Sequence, residues 1–211
     1  MDTCGFPKDN YYYYQARWRE GPVLHLLPHW NWQVGEKIQV WCHTNLETVE
    51  LLLNGRSLGR RKVPRHGHAE WEVTYVPGIL EARGYRDGKL IQTTRRETTG
   101  AAAGIVLRPD RNSLRADGRD LSVVEVQIVD ELGRTVPTAD AEVAFAVSGQ
   151  GVLIGVGNGN PISHEADKSD RRRAFNGLCM ALVQTVRGSG EIVVEARSAG
   201  LNTARARLLA G

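Results

Sequence analysis

Residues 68–94 read HAEWEVTYVPGILEARGYRDGKLIQTT. Trp71, Val73 and Tyr75 fall on one side of an extended chain, the period of two that marks a strand with one buried face. Pro77-Gly78 then sets a turn. Ile79 to Tyr85 reads as the next strand, and Asp87-Gly88 is a two-residue hairpin signal leading into Lys89 to Thr94. Upstream the rhythm is the same. Lys37 to His43 places Ile38, Val40 and Cys42 on one face, and Thr48 to Leu53 runs straight into Asn54-Gly55, the strongest short hairpin signal. Five or six short strands punctuated by turns predict a small β-sandwich over residues 37–99.

Thr98 to Gly104, TTGAAAG, is small and weakly polar and is expected to be a linker. Beyond it the β pattern resumes. Ile105 to Leu107, Leu121 to Val129, Ala141 to Val147, Leu178 to Val186, Glu191 to Ala196 and Thr203 to Leu209 read as strands, with turns at Asp117-Gly118 and Gly133. That density predicts a second, immunoglobulin-like sandwich over residues 104–211. One stretch breaks the rhythm: Gly155 to Gly177, GVGNGNPISHEADKSDRRRAFNG, reads as a long loop, and such loops in compact domains are often functional. Residues 1–36 differ from both β regions. Asp9 to Glu20 suits a short helix capped by Asp9 or Asn10 and stopped by Gly21-Pro22. An aromatic-rich irregular segment, VLHLLPHWNW, follows. The expected fold class is therefore all-β, two immunoglobulin-like sandwiches in tandem behind a short helical and irregular lead.

Composition narrows the function classes. The chain has 211 residues, 41% hydrophobic and 24% charged, with a net charge of +3. Basic residues are scattered without an aromatic-basic stripe, so nucleic acid is not an expected partner. No apolar run approaches the ~18 residues that span a bilayer, so no membrane is expected either. Cys4, Cys42 and Cys179 are odd in number and far apart, which argues for reduced, mostly buried thiols over a disulfide framework or a zinc site. The glycines of the long loop lack the strand–GxGxxG–helix context of a phosphate cradle. No GxSxG elbow exists for a Ser/His/Asp hydrolase. His66 and His68 sit in a Gly-flanked turn and read as exposed.

Three groups of strings are recognisable beyond their periodicity. DTCGFPKDNYYYYQARW with LHLLPHWNW resembles the barrel exit of family 2 glycoside hydrolases of the β-galactosidase type. VELLLNGRSLGRRKVP and WEVTYVPGILEARGYRDGK are similar to the immunoglobulin-like domain that follows the barrel there. VLRPDRNSLRADGRDLSVVEVQIVDELGRTVP and VGNGNPISHEADKSDRRRAFNG are similar to the terminal sandwich. The resemblance implies that residues 1–36 are the C-terminal remnant of a (β/α)8 barrel. For the full-length enzyme it implies retaining hydrolysis of terminal β-galactosides by two barrel carboxylates, and a bacterial, periplasmic or secreted location. A barrel needs about 250 residues, and only 36 precede the first sandwich here. The chain is therefore expected to hold no catalytic residue and to need no metal or cofactor, with a structural and domain-docking role. Its expected partner is the catalytic barrel of the same polypeptide, and carbohydrate only in the full-length enzyme. The alternative is an independent carbohydrate-binding module.

His29, Trp30 and Trp32 are the candidate substrate contacts of the full-length enzyme, because an indole can stack on a sugar ring and a His N–H can meet a hydroxyl. The other expectation for them is packing between barrel and sandwich. Tyr11 to Tyr14 read as a barrel-packing face, and Asp2 and Asp9 as capping, exposed carboxylates. In the long loop, Asn158, Asn160, His164, Glu165, Arg171, Arg172 and Arg173 are candidates for docking the barrel, with the arginines pairing its carboxylates. A metal site from His164, Glu165 and Asp167 has no spacing rule behind it.

Overall fold

The computed structural model describes all 211 residues. The chain divides into two compact units. One comprises Met1 and residues 6–99, the other residues 2–5 and 100–211.

The first unit opens with helix α1 (Asp9–Trp18) and continues through β1 (Leu24–Leu27), β2 (Lys37–Thr44), β3 (Thr48–Leu53), β4 (Arg56–Lys62), β5 (Ala69–Thr74), β6 (Ile79–Arg86) and β7 (Lys89–Glu97). The strands form two antiparallel sheets, β1-β2-β5 and β4-β3-β6-β7. Alternation places Ile38, Val40, Trp71 and Val73 from one sheet and Val49, Leu51, Leu80 and Ala82 from the other in a shared core. The first sandwich thus takes a strand, β1, from the stretch before residue 37. Both dipeptide hairpins form, with Asn54 and Gly55 at φ 49° and 80° and Asp87 and Gly88 at 50° and 72°, the left-handed pair that a two-residue loop requires. Asn54 also reaches sideways: its Oδ1 accepts from Ile79 N–H at 2.8 Å and its Nδ2 donates to the Pro77 carbonyl at 3.1 Å. Gly78 sits beneath it at φ 138°, where a Cβ would lie 1.9 Å from Asn54 Oδ1.

The α1 cap differs from expectation. The residue before the helix is Lys8, with no side-chain cap. Asp9 lies inside the first turn, its carboxylate held by His25 instead.

The second unit runs β8 (Gly104–Pro109), β9 (Ser113–Leu114), β10 (Leu121–Val129), β11 (Glu142–Gly149), β12 (Gly151–Gly157), β13 (Arg171–Arg173), β14 (Leu178–Thr185), β15 (Gly190–Arg197) and β16 (Ala204–Ala210). Its sheets are β12-β14-β10-β8 and β13-β11-β15-β16-β9, antiparallel except for the short β16/β9 pairing. Val124, Val126, Ile128, Val143, Val183, Ile192 and Val194 are fully buried between them. Asp130 closes the start of this unit: it accepts from Gly100 N–H at 2.9 Å and from Arg134, whose guanidinium holds its carboxyl far below the usual range against the cost of burial. The expected long loop is shorter than its sequence suggested. Residues 155–157 belong to β12, and Arg171–Arg173 form β13 against β11, so only residues 158–170 and the short link 174–177 lie outside strands. Glycine-rich sequence hid β12, because it offers few side chains to alternate.

Candidate functional site

The structure places the candidate residues in two separate settings, one in each unit, and adds a third cluster that the sequence did not announce.

The corner after β1 holds His29, Trp30 and Trp32. Trp30 is 1% exposed. Its Nε1–H donates to the Val76 carbonyl at 3.1 Å, and Tyr75 meets its ring edge-on at 5.1 Å. It is core, with no face or donor left for a ligand. Asn31 fastens the corner to the end of the unit, donating to Thr99 Oγ1 at 2.9 Å and accepting from Thr99 N–H at 3.1 Å. His29 and Trp32 are half-buried and stack at 4.5 Å with 13° between planes. Trp32 Nε1–H donates to the His29 carbonyl at 2.8 Å, so its indole can offer only a ring face. Asn31 N–H donates to His29 Nδ1 at 3.2 Å, which assigns the ring proton to Nε2 in the neutral form. Burial first, and the Arg96 charge second, push the His29 pKa down, so that form prevails at neutral pH. The pair can therefore present one apolar face and one N–H donor.

The loop in the second unit is organised around Arg172, which is buried. Its Nη1 donates to the Glu165 carbonyl at 3.0 Å and to Asp167 Oδ1 at 3.2 Å, and its Nη2 to Asn158 Oδ1 at 3.4 Å. Asn158 is buried beside it, donating to the Arg173 carbonyl at 2.9 Å and accepting from Asn160 N–H at 3.0 Å. Asn160 in turn accepts from Ile162 N–H at 3.1 Å. Glu165 accepts from Arg173 N–H at 3.0 Å. Arg171 pairs with Asp170 and Glu142, and Arg173 reaches the Asp140 carbonyl at 3.1 Å. Arg172 thus holds the loop together, while Arg171 and Arg173 are exposed and reach Glu142 on β11 and Asp140 just before it. His164 stands exposed. His164, Glu165 and Asp167 do not converge into a group of metal ligands. The glycines of this segment serve close approach: a Cβ on Gly157 would lie 2.7 Å from Cys4 Sγ, and one on Gly159 would lie 2.0 Å from an Asp2 carboxylate oxygen. Burial pushes the Cys42 and Cys179 thiols up to about 12, and raises the Cys4 thiol as well.

The third cluster lies where α1 packs on sheet β1-β2-β5. His25 Nε2 meets Asp9 Oδ1 at 2.7 Å, and Tyr12 stacks on the His25 ring at 3.7 Å. His43, the register partner of His25, takes Tyr13 edge-on at 5.4 Å and His68 at 5.7 Å. His68 is half-buried, not exposed as expected, and stacks on Trp41 at 4.4 Å. His43 Nδ1 is buried without a partner. Burial, with His68 and His25 adding repulsion, brings its pKa down to about 4. The hydrogen bond from His25 holds Asp9 below the usual carboxylate range. The one available sequence signal was that His25 and His43 fall at outward positions of strands.

Two immunoglobulin-like sandwiches following one another along the chain, carrying corner and loop residues used mainly on themselves, define a β module of two domains. Comparison with known proteins gives the family. A model described as glycoside hydrolase family 2 C-terminal domain 5 matches residues 105–207, and a domain of unknown function, DUF4982, matches residues 35–92. A β-galactosidase of Bacteroides ovatus is 43% identical over 206 residues, 97% of this chain and 24% of that protein. A β-glucuronidase of Formosa agariphila is 31% identical across 95% of this chain and 21% of its own length. Among solved structures, a glycosyl hydrolase family 2 member from Bacteroides cellulosilyticus superposes with a TM-score of 0.95 at 30% identity, over 100% of this chain and 31% of that one. The chain belongs to the C-terminal part of glycoside hydrolase family 2, and it spans about a quarter of the length of the curated relatives it matches.

Proposed function

We propose that this chain is the non-catalytic C-terminal region of a β-galactosidase-like glycoside hydrolase, with a structural and domain-docking role. In this reading residues 1–36 carry the end of a catalytic barrel into the first sandwich, with β1 as its first strand. The two carboxylates that a retaining mechanism sets about 5–5.5 Å apart lie upstream, on that barrel. The observation that carries the reading is the coverage: nearly all of this chain aligns with only 24% of a β-galactosidase.

The docking face is α1. Trp18 is 81% exposed and its ring meets that of Tyr14, itself exposed, a concentration of apolar area that a helix leaves bare when its partner layer is elsewhere. His29 and Trp32 are the remaining candidates for a sugar contact, supplying a ring face and the His29 Nε2–H. Relatives named as β-galactosidases and as β-glucuronidases both match, so the whole polypeptide is assayed on both glycosides. β-Galactoside turnover by it, absent when the upstream carboxylates are neutralised, supports the reading; turnover of the glucuronide alone replaces the sugar and keeps the architecture. Calorimetric titration of this chain with galactose, lactose and β-galactan tests the alternative, a free-standing carbohydrate-binding module, which requires millimolar or tighter binding.

A further inference from the structure

One segment of the first unit carries charge that its surroundings neutralise at a single position. From Arg56 to Arg65 the chain reads RSLGRRKVPR, five cations without a carboxylate. All seven residues of β4 are exposed, and β4 is the edge of its sheet. Arg60 is the only one of the five in an ion pair, a long one at 3.8 Å to Glu50. Both Glu50 oxygens are already taken, by Ser57 at 2.7 Å and Tyr85 at 2.8 Å. Aromatic rings hold two guanidinium groups in place: Arg60 lies 3.7 Å from the Tyr85 ring centroid and Arg61 lies 5.4 Å from that of Trp71. Stacked guanidinium groups keep their N–H edges free for planar anions.

We propose that the β4 edge is a binding site for an acidic glycan, a polysaccharide bearing carboxylate or sulfate groups. An edge strand presents unpaired backbone N–H and C=O groups, which sugar hydroxyls can meet while the cations meet the acid groups. The strand is about 20 Å long at its usual rise, long enough for several sugar units. Two observations favour a glycan over other polyanions. The aromatic faces beneath Arg60 and Arg61 are covered by the guanidinium groups, so no platform is left on which nucleic-acid bases stack. The bulge in the β3/β4 register, with Gly59 at φ 100°, breaks the even ladder that an added peptide strand needs. The proposal goes beyond the docking role above and holds whichever sugar the whole enzyme cleaves.

The test titrates the full 211-residue chain with polygalacturonate, dextran sulfate, neutral β-galactan and a single-stranded DNA oligonucleotide, at low and at high salt. A quadruple variant, Arg56→Gln, Arg61→Gln, Lys62→Gln and Arg65→Gln, is compared with a charge-matched control, Arg108→Gln, Arg119→Gln, Lys168→Gln and Arg187→Gln. Urea unfolding confirms that both fold. The proposal expects binding of at least one anionic glycan and not of galactan, weakening with salt, and reduced about tenfold or more in the β4 variant alone. Which polymer binds tighter assigns carboxylate or sulfate. Failure of both anionic glycans to bind, equal loss in the two variants, or tighter binding of the DNA overturns it.

Discussion

His43 is buried with a nitrogen that has no partner, and its surroundings explain why it stays neutral. Asp9, Tyr13 and Arg17 face it from α1, His25 from β1, and His68 from just before β5. Its pKa of about 4 in the folded chain lies below the ordinary 6.5, so the unfolded chain takes up the proton first. The stability linked to it is therefore complete above pH 6.5 and drains away as pH falls toward 4. Asp9 acts in a lower window, contributing above its ordinary 3.8 and losing that contribution below it. His43→Phe keeps the edge-on contact with Tyr13 and cannot protonate. Urea midpoints of the first unit should fall between pH 7 and pH 5 in the wild type and much less in the variant; parallel curves would exclude His43 as the source. Arg172 is the corresponding residue in the second unit. Arg172→Met removes the centre of the 158–170 loop and is expected to cost about 1–3 kcal/mol, because Asn158 loses a partner while buried. Hydrogen exchange should rise across that loop and leave β10 and β14 protected.

The hairpins show local sequence deciding an element. Asn54 forms the β3–β4 turn and locks Gly78 at the start of β6, so the two turns are one device. Gly78→Ala forces a Cβ into Asn54 at a φ that alanine avoids, for an expected loss of about 1–3 kcal/mol by thermal unfolding. If Asn54→Ala relieves none of that loss in the double variant, the lock is not the cause. Strands with one buried face were legible: β2, β5, β10 and β14 alternate in sequence as they alternate in burial. β4 was not, because an edge exposed on both faces needs no apolar period. β12 was hidden by its glycines, and β1 by its brevity, four residues between a turn and Pro28. Of the candidate site, the residue types were legible and their employment was not. Trp30 and Arg172 each belong to a core or a loop through partners 46 and up to 14 residues away, which no local pattern encodes.

At the scale of the whole molecule, two sandwiches account for almost every residue from Val23 onward. Removing the α1 cover from the first unit should expose His25 and His43 together with the apolar edge around them. A chain starting at Gly21 is therefore expected to melt lower than the full chain, with the second unit's transition unchanged by calorimetry; loss of both transitions would contradict two separately cored units. The measurement that bears most directly on the account is turnover of a chromogenic β-galactoside by the purified chain, prepared from a host lacking its own β-galactosidase and set beside the whole polypeptide. The account predicts a rate at the buffer baseline for this chain and hydrolysis by the whole polypeptide. Sustained enzymatic hydrolysis by the 211 residues alone would contradict it.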